Sequence, residues 1–416
     1  MPERTQHDVV VIGAGQAGLS VSSHLVRRGV DHVVLERDTI AHEWRDSRWD
    51  SFTLVTPNWQ CVLPGYRYSG PEPDGFMKRD EVYDFVREYA ATFDAPVREH
   101  VTVTAVTRSP VGGFDLETTM GPLHAEQVVV AVGGYHIPAI PRLAEKLPSS
   151  IRQLHSSEYR SATDLPDGAV MVVGTGQSGA QIAEDLHLAG RKVHLVVGSA
   201  PRVARFYRGR DCVAWLHDMG HYDIPIEDQP GGIGKRENTN HYVTGRDGGR
   251  DIDLRRFAAD GMSLYGRLVD ASGSTMRFAP TLAGSLDAAD AVAESIKDSI
   301  DAYIEREGID APRESRYRPV WHPEYETTEI DTAAADITSI VWAVGFHTDY
   351  RWLRVGVFDG EGHPCHNRGV TTAAGLYFIG LPWQHTWGSG RFAAVARDAE
   401  YLADHIGALT PSSVRA

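Results

Sequence analysis

The residues of this chain whose types and spacing can do chemistry are, first of all, glycines. Gly13, Gly15 and Gly18 stand in the pattern GxGxxG, and Gly174, Gly176 and Gly179 repeat it 161 residues later. Each set follows an apolar run, Val9-Val10-Val11-Ile12 in one case and Val170-Met171-Val172-Val173 in the other. In such a pattern the first glycine allows a tight strand-to-helix turn and the second lets a pyrophosphate approach the backbone. The third lets helix and strand pack closely, so that the phosphates meet the positive end of the helix. The two copies also agree beyond the glycines: Gln16 matches Gln177, Val21 matches Ile182, Leu25 matches Leu186, and Gly29 matches Gly190. Two bound dinucleotides are therefore expected, each cradled by its fingerprint: Gly13, Gly15, Gln16, Ala17 and Gly18 for one, Gly174, Gly176, Gln177, Ser178 and Gly179 for the other.

The strand that follows each fingerprint ends differently. His32-Val33-Val34-Leu35 runs into Glu36 and Arg37, and a carboxylate at that place accepts hydrogen bonds from both ribose hydroxyls, which suits FAD or NAD. In the second copy Val193-His194-Leu195-Val196-Val197 runs into Gly198-Ser199. No carboxylate stands there to repel a 2′-phosphate, and Arg202, Arg205, Arg208 and Arg210 follow in a chain of formal net charge −15. NADP is the expected second ligand, with Arg205 as a candidate contact. The competing reading of these arginines is a salt-bridged surface.

The elements that must position these residues read as alternating strands and helices. With 416 residues, 42% of them hydrophobic, the chain is long enough for two or three domains. A run from Val128 ends in the turn Gly133-Gly134, and prolines between 138 and 148 mark an exit from the first domain. An amphipathic helix is expected at about 286 to 305, and strand character returns at 337 to 345. The expectation is an α/β chain of two Rossmann-like domains. Residues 1–150 and 335–416 form the FAD domain, and the NADP domain, with substrate-cavity insertions, is inserted as 160–330. The acidic balance argues against nucleic acid or an anionic membrane as partner. No apolar run is long enough to span a membrane, no signal peptide precedes the first strand, and three scattered cysteines frame no disulfides, so the cytoplasm is the expected location. No metal site is expected, for no His/Cys/Asp cluster has ligand spacing.

Taken together, the two fingerprints, the Val344-Gly345 strand end and the terminal Gly375-Leu376-Tyr377-Phe378-Ile379-Gly380 resemble the class B flavoprotein monooxygenases. That group spans flavin-containing, Baeyer–Villiger, N-hydroxylating and plant indole-pyruvate enzymes. The resemblance implies FAD on Gly13, Gly15, Gly18 and Glu36, and NADPH on Gly174, Gly176, Ser178 and Gly179. It implies that Trp44, Arg45 and Thr56 run along the flavin, with Gly133, Gly345 and Gly380 as backbone turns around it. A linker motif of the family is half kept: His155 and Tyr159 match its tail, while Ser149 and Ile151 replace its Phe and Gly. The implied reaction has NADPH reduce FAD, the reduced flavin take up O2 as a C4a (hydro)peroxide, and one oxygen atom enter a small organic substrate. N- or S-oxygenation stands ahead of Baeyer–Villiger chemistry. Water must be kept out for this to be productive.

Trp383, His385 and Trp387, in the segment after Gly380, are the candidate substrate residues, with sealing of the cavity as the plainer role. The rival function is an NAD(P)H-dependent flavoprotein reductase or electron transferase without a redox disulfide, since Cys61, Cys212 and Cys365 form no CxxC pair. Partners are thus a small molecule and O2, with a monomer or homodimer as the assembly.

Overall fold

A computed structural model describes residues 5–237 and 240–410. The first apolar run is β1 (Gln6–Ile12), the glycine turn leads into α1 (Gln16–Arg27), and β2 (His32–Leu35) follows. β1 lies in the middle of a nine-stranded sheet. β2 runs parallel on one side of it with Val33 opposite Val10, and β3 (Gly121–Val130) runs parallel on the other with Val128 opposite Val10. Val9, Val10 and Val11 are wholly buried, which is why the strand reads as a continuous apolar run without alternation.

The second unit repeats this plan. β4 (Arg152–His155) precedes β5 (Ala169–Val173), α2 (Gln177–Leu188) and β6 (Val193–Val196). β7 (Ser263–Tyr265) adds an edge strand, and α3 (Leu282–Glu307) supplies the expected amphipathic helix, longer than predicted and ended by Gly308 at φ +64°. Its buried stripe is Leu286, Ala289, Ala293, Ile300 and Ile304, whereas Val292 and Ile296 are half-buried.

One boundary requires correction. The sequence reading returned the chain to the first domain at 335, yet β8 (Ile337–Trp342) lies inside the second sheet, parallel to both β4 and β5, with Val341 opposite Val172. The reason is internal duplication. Ala343-Val344-Gly345 follows β8 as Ala131-Val132-Gly133 follows β3, and each is the strand against which a glycine turn presses. We therefore propose that the inserted unit extends to about residue 345. After it, Phe346–His347 pairs with Ile137–Pro138, and β9 (Leu376–Phe378) joins the first sheet beside β3. α4 (Phe392–Leu409) then closes the chain by packing on α1. Among the described residues no helix is long and apolar enough to cross a membrane.

The second sheet carries a buried histidine. His194 on β6 is 3% exposed, its Nδ1 lies 2.7 Å from the Tyr265 hydroxyl, and its Nε2 has no partner among the described residues. Burial, reinforced by Lys192, lowers its pKa from 6.5 to about 4. The unfolded chain takes up this proton near 6.5 and the native one only near 4, so its stabilising contribution is intact above 6.5 and is lost as pH falls through that window. We expect Tm to decline between these pH values, and His194→Gln to flatten the decline. Parallel melting series across that range check this; identical slopes would mean that other groups carry the acid sensitivity.

Candidate functional site

Each glycine turn is built by contacts that exclude a side chain. Gly13 sits at φ +107°, where a Cβ would lie 2.6 Å from the Ala131 carbonyl oxygen; Gly174 sits at +106°, 2.5 Å from that of Ala343. At Gly18 and Gly179 a Cβ would be 2.0 Å from the carbonyl oxygen of Gly13 and of Gly174. At Gly15, by contrast, an added methyl meets nothing within 4 Å. That open space lies over the start of α1, whose N-cap has no side-chain hydrogen bond and whose first turn holds no acid; α2 begins at Gly176 in the same way. Bared N–H groups at the positive end of a helix are what a pyrophosphate requires, so both sites fit dinucleotides.

Around the first turn the loops are tied together. The Glu36 carboxylate accepts hydrogen bonds from the Ala14 N–H (2.7 Å) and the Asp38 N–H (3.0 Å), at the strand end where ribose is expected. Gln16 accepts from the Trp44 indole at 3.0 Å and donates to the Gly390 carbonyl at 3.1 Å. Trp44 stacks on Phe392 at 5.6 Å. Gly380, at φ +85°, packs on Ala17, and a Cβ there would be 2.8 Å from the Ala17 methyl. Gly133 (φ +67°) and Gly345 (φ +90°) are open turns, and Thr56 is half-buried in the loop preceding Asn58. Arg37 lies on the exposed rim, paired with Asp38 and Glu43. Arg45, expected along the flavin, instead donates to the Tyr83 hydroxyl at 3.0 Å and pairs with Asp46. Arg48 is the arginine beside Trp44, with Cζ 5.5 Å from its ring centroid.

The second strand end is as predicted, but its arginines are not. Gly198 is half-buried and donates to Thr175 Oγ1 at 3.0 Å, Ser199 is exposed, Ser178 is half-buried at the helix start, and Gln177 donates to the Val243 carbonyl. Arg205 is 1% exposed, holds Asp211 through Nη2 at 2.5 Å, and donates from Nη1 to the Val55 carbonyl at 2.9 Å. It is a structural link to the 54–57 loop, not a phosphate contact. Arg202, Arg208 and Arg210 are likewise committed to Asp290, Asp301 and Asp218. The salt-bridged alternative is the one the structure shows for these four arginines, although no local pattern in the sequence identifies their acid partners.

The linker residues position the two units. His155 is wholly buried; Ser157 N–H donates to its Nδ1 at 3.2 Å, so Nε2 carries the proton and donates to the Gly345 carbonyl at 2.9 Å. Burial lowers its pKa, which keeps this neutral tautomer. Asp185 on α2 accepts from Tyr159 (2.7 Å), Arg246 (2.7 Å) and Ser51 (2.5 Å), and so ties α2 to the loop after Trp49. No sequence signal singled out Asp185. Trp383 is buried at φ +53°, Trp387 stacks on Tyr222 at 4.6 Å, and the His385 carbonyl accepts from Ile226 N–H at 2.8 Å. The 383–391 segment thus docks against Tyr222, Ile226, Arg236 and Asn240 of the inserted unit.

A family model described as pyridine nucleotide-disulphide oxidoreductase matches residues 10–216. An oxidoreductase of Geobacillus kaustophilus (strain HTA426), described as uncharacterized and CzcO-like, is 30% identical over 403 residues, covering 96% of this chain and 98% of that protein. The indole-3-pyruvate monooxygenase YUCCA1 of Oryza sativa subsp. japonica is 32% identical over 197 residues, about half of each chain (47% and 48%). A flavin-containing monooxygenase from Stenotrophomonas maltophilia has the same fold at a TM-score of 0.68 and 19% identity, covering 97% of this chain and 98% of that one.

The glycine geometry separates fold from binding. Gly18→Ala should destabilise the protein by about 1–3 kcal/mol through overpacking. Gly15→Ala should leave the apoprotein within about 0.5 kcal/mol of wild type yet weaken FAD binding. Denaturant melts of apoprotein and FAD titrations of both variants distinguish these outcomes; equal behaviour in the two assays would contradict the assignment.

Proposed function

The chain belongs to the CzcO-like oxidoreductases, and we propose that it is a flavoprotein monooxygenase that uses FAD with NADPH and oxygenates a small organic substrate at nitrogen or sulfur. The observation that carries the reading is the pair of bared helix N-termini in one molecule, with a carboxylate, Glu36, at the strand end of the first and none at Gly198-Ser199 of the second. That asymmetry supports a free ribose in one site and tolerance of a 2′-phosphate in the other. Held at the start of α1, FAD would supply two-electron redox chemistry between NADPH and O2, with one oxygen atom going to the substrate and the other to water.

The protein's own part is to hold and to exclude. The N–H groups at the starts of α1 and α2 bind the two pyrophosphates, and Glu36 accepts the ribose hydroxyls. Gln16 and Trp44 brace the first turn against the 388–391 segment. Trp383 and Trp387 close the cleft towards solvent, which limits unproductive loss of activated oxygen. A lone pair on nitrogen or sulfur needs no general base from the protein, which agrees with a site framed by arginines and aromatics. A reductase acting through a cysteine pair is disfavoured. No disulfide joins Cys61, Cys212 and Cys365, and burial pushes the Cys61 and Cys212 thiols up to about 12, where little reactive thiolate exists.

NADPH should reduce the bound flavin with a higher kcat/KM than NADH, and turnover with thioether and tertiary-amine probes under 18O2 should give product carrying one labelled oxygen. Rapid flavin reduction coupled only to quinones or other electron acceptors, with no labelled product from any probe, would favour the electron transferase. A clear NADH preference would contradict the reading of Gly198-Ser199.

A further inference from the structure

One glycine of the inserted unit is not required by its own backbone. Gly245, in the run Thr244-Gly245-Arg246-Asp247-Gly248-Gly249-Arg250, has φ −96° and ψ −2°, a turn conformation that most residues adopt. What excludes a side chain there is the first unit: a Cβ would lie 2.1 Å from the Leu54 carbonyl oxygen and 2.7 Å from Phe76 Cγ. Four residues on, Gly249 makes the same approach, its Cβ position 2.7 Å from Phe76 Cε2. At Gly248, beside it, a Cβ would meet no described atom within 4 Å. Leu54 and Phe76 belong to one ledge, because the Leu54 N–H donates to the Met77 carbonyl at 2.8 Å. The ledge is tied to the first nucleotide turn: Phe52 lies 6.3 Å from Trp44, whose indole donates to Gln16.

The other side of this loop is fastened to α2. The Gln177 side-chain amide donates to the Val243 carbonyl at 2.5 Å, Arg246 pairs with Asp185 at 2.7 Å, and Arg250 pairs with Glu184 at 3.1 Å. Positions 177, 184 and 185 are spaced i, i+7 and i+8, so they share one face of the helix. Gln177 is also the residue directly after Gly176, where the second pyrophosphate approaches. The loop therefore stands between the helix that opens the second nucleotide site and the first unit, in contact with both. A backbone packed this closely transmits displacement instead of absorbing it.

We propose that the 243–250 loop is the spacer that sets the distance between the two bound nucleotides, and that Gly245 and Arg246 are positioning residues for hydride transfer from NADPH to FAD. That transfer breaks one C–H bond of NADPH and carries two electrons and one proton to the flavin. It needs the reacting atoms about 3–3.5 Å apart, and a misplacement of about 1 Å can cost about a hundredfold in rate. A methyl added at Gly245 forces such a misplacement: Cβ contacts are not made below 3.0 Å, so loop and ledge must part by about 1 Å. The inference rests on the reading of two dinucleotide sites, and not on oxygen transfer to a substrate.

The test compares Gly245→Ala with Gly248→Ala, which strains the same loop at φ +84° without touching the first unit. FAD-loaded proteins are studied without O2. The measurements are NADP+ affinity, the limiting rate of flavin reduction by NADPH, and the long-wavelength absorbance formed when NADP+ meets dithionite-reduced flavin, an equilibrium report of ring stacking. Gly245→Ala should keep wild-type flavin content and bind NADP+ within about threefold of wild type. Its flavin should nevertheless be reduced at least about tenfold more slowly, with most of that absorbance lost, while Gly248→Ala matches wild type throughout. Should Gly245→Ala fail to fold, Arg246→Met shows the same split and Arg246→Lys restores the rate, since Asp185 keeps Tyr159 and Ser51 as donors in both. Wild-type rate and absorbance in a folded Gly245→Ala or Arg246→Met protein overturn the proposal. So does an equal loss in Gly248→Ala, or a loss of NADP+ affinity with the limiting rate kept, which would make the loop a wall of the NADP site. Wild type that NADPH cannot reduce overturns the two-dinucleotide reading itself, and this inference with it.

Discussion

Everything in this molecule that can bind a nucleotide depends on a contact too short for a side chain. At Gly18 and at Gly179 the helix approaches the carbonyl of its own turn so closely that a single added carbon would sit 2.0 Å away. That approach seats the helix start directly over the strand end and leaves its first N–H groups pointing into open space. The turn is fixed from below as well, by Ala131 under Gly13 and Ala343 under Gly174. A three-strand unit, not a glycine loop alone, therefore makes each site: the strand before the turn, the strand after the helix, and a third strand that ends in Ala-Val-Gly. The packing constraint and the electrostatic function are consequences of one geometry.

The two units are then held in register by polar contacts. Asp185 gathers Ser51, Tyr159 and Arg246 on one carboxylate, Arg205 reaches from the inserted unit to the Val55 carbonyl, and the Asp50 N–H donates to the Arg160 carbonyl at 2.9 Å. These bonds run from the last turn of α2, Arg205 and Arg160 to residues 50–55 of the first unit. The spacing between the two ligands is thus set by a small number of directional contacts, most of them shielded from water, where an unmet partner is expensive. Such an interface fixes geometry more sharply than apolar packing of equal area would.

Much of this could be read from the chain before any coordinates. The GxGxxG spacing, the apolar run ahead of each, and the acid at Glu36 against its absence at Ser199 are local patterns, and local patterns survive in a sequence. The sheet membership of Ile337–Trp342 was not readable in that way, because a buried parallel strand has the same composition in either sheet; only its tail, Ala343-Val344-Gly345, so like Ala131-Val132-Gly133, carried the information. Arg205 misled because a positive residue after a strand end looks alike whether its acid is a phosphate or Asp211.

The central claim is that one chain holds two dinucleotide sites, built alike and loaded differently. It is tested most directly by Gly176→Glu, which sets a bulky anion where the second pyrophosphate approaches the backbone while leaving the first turn untouched. The measurement is FAD content together with the rate of flavin reduction by NADPH and by dithionite. The account predicts a yellow protein with wild-type flavin content, reduced by dithionite but no longer by NADPH. Loss of FAD from a protein that keeps its fold, or NADPH reduction at the wild-type rate, would contradict it.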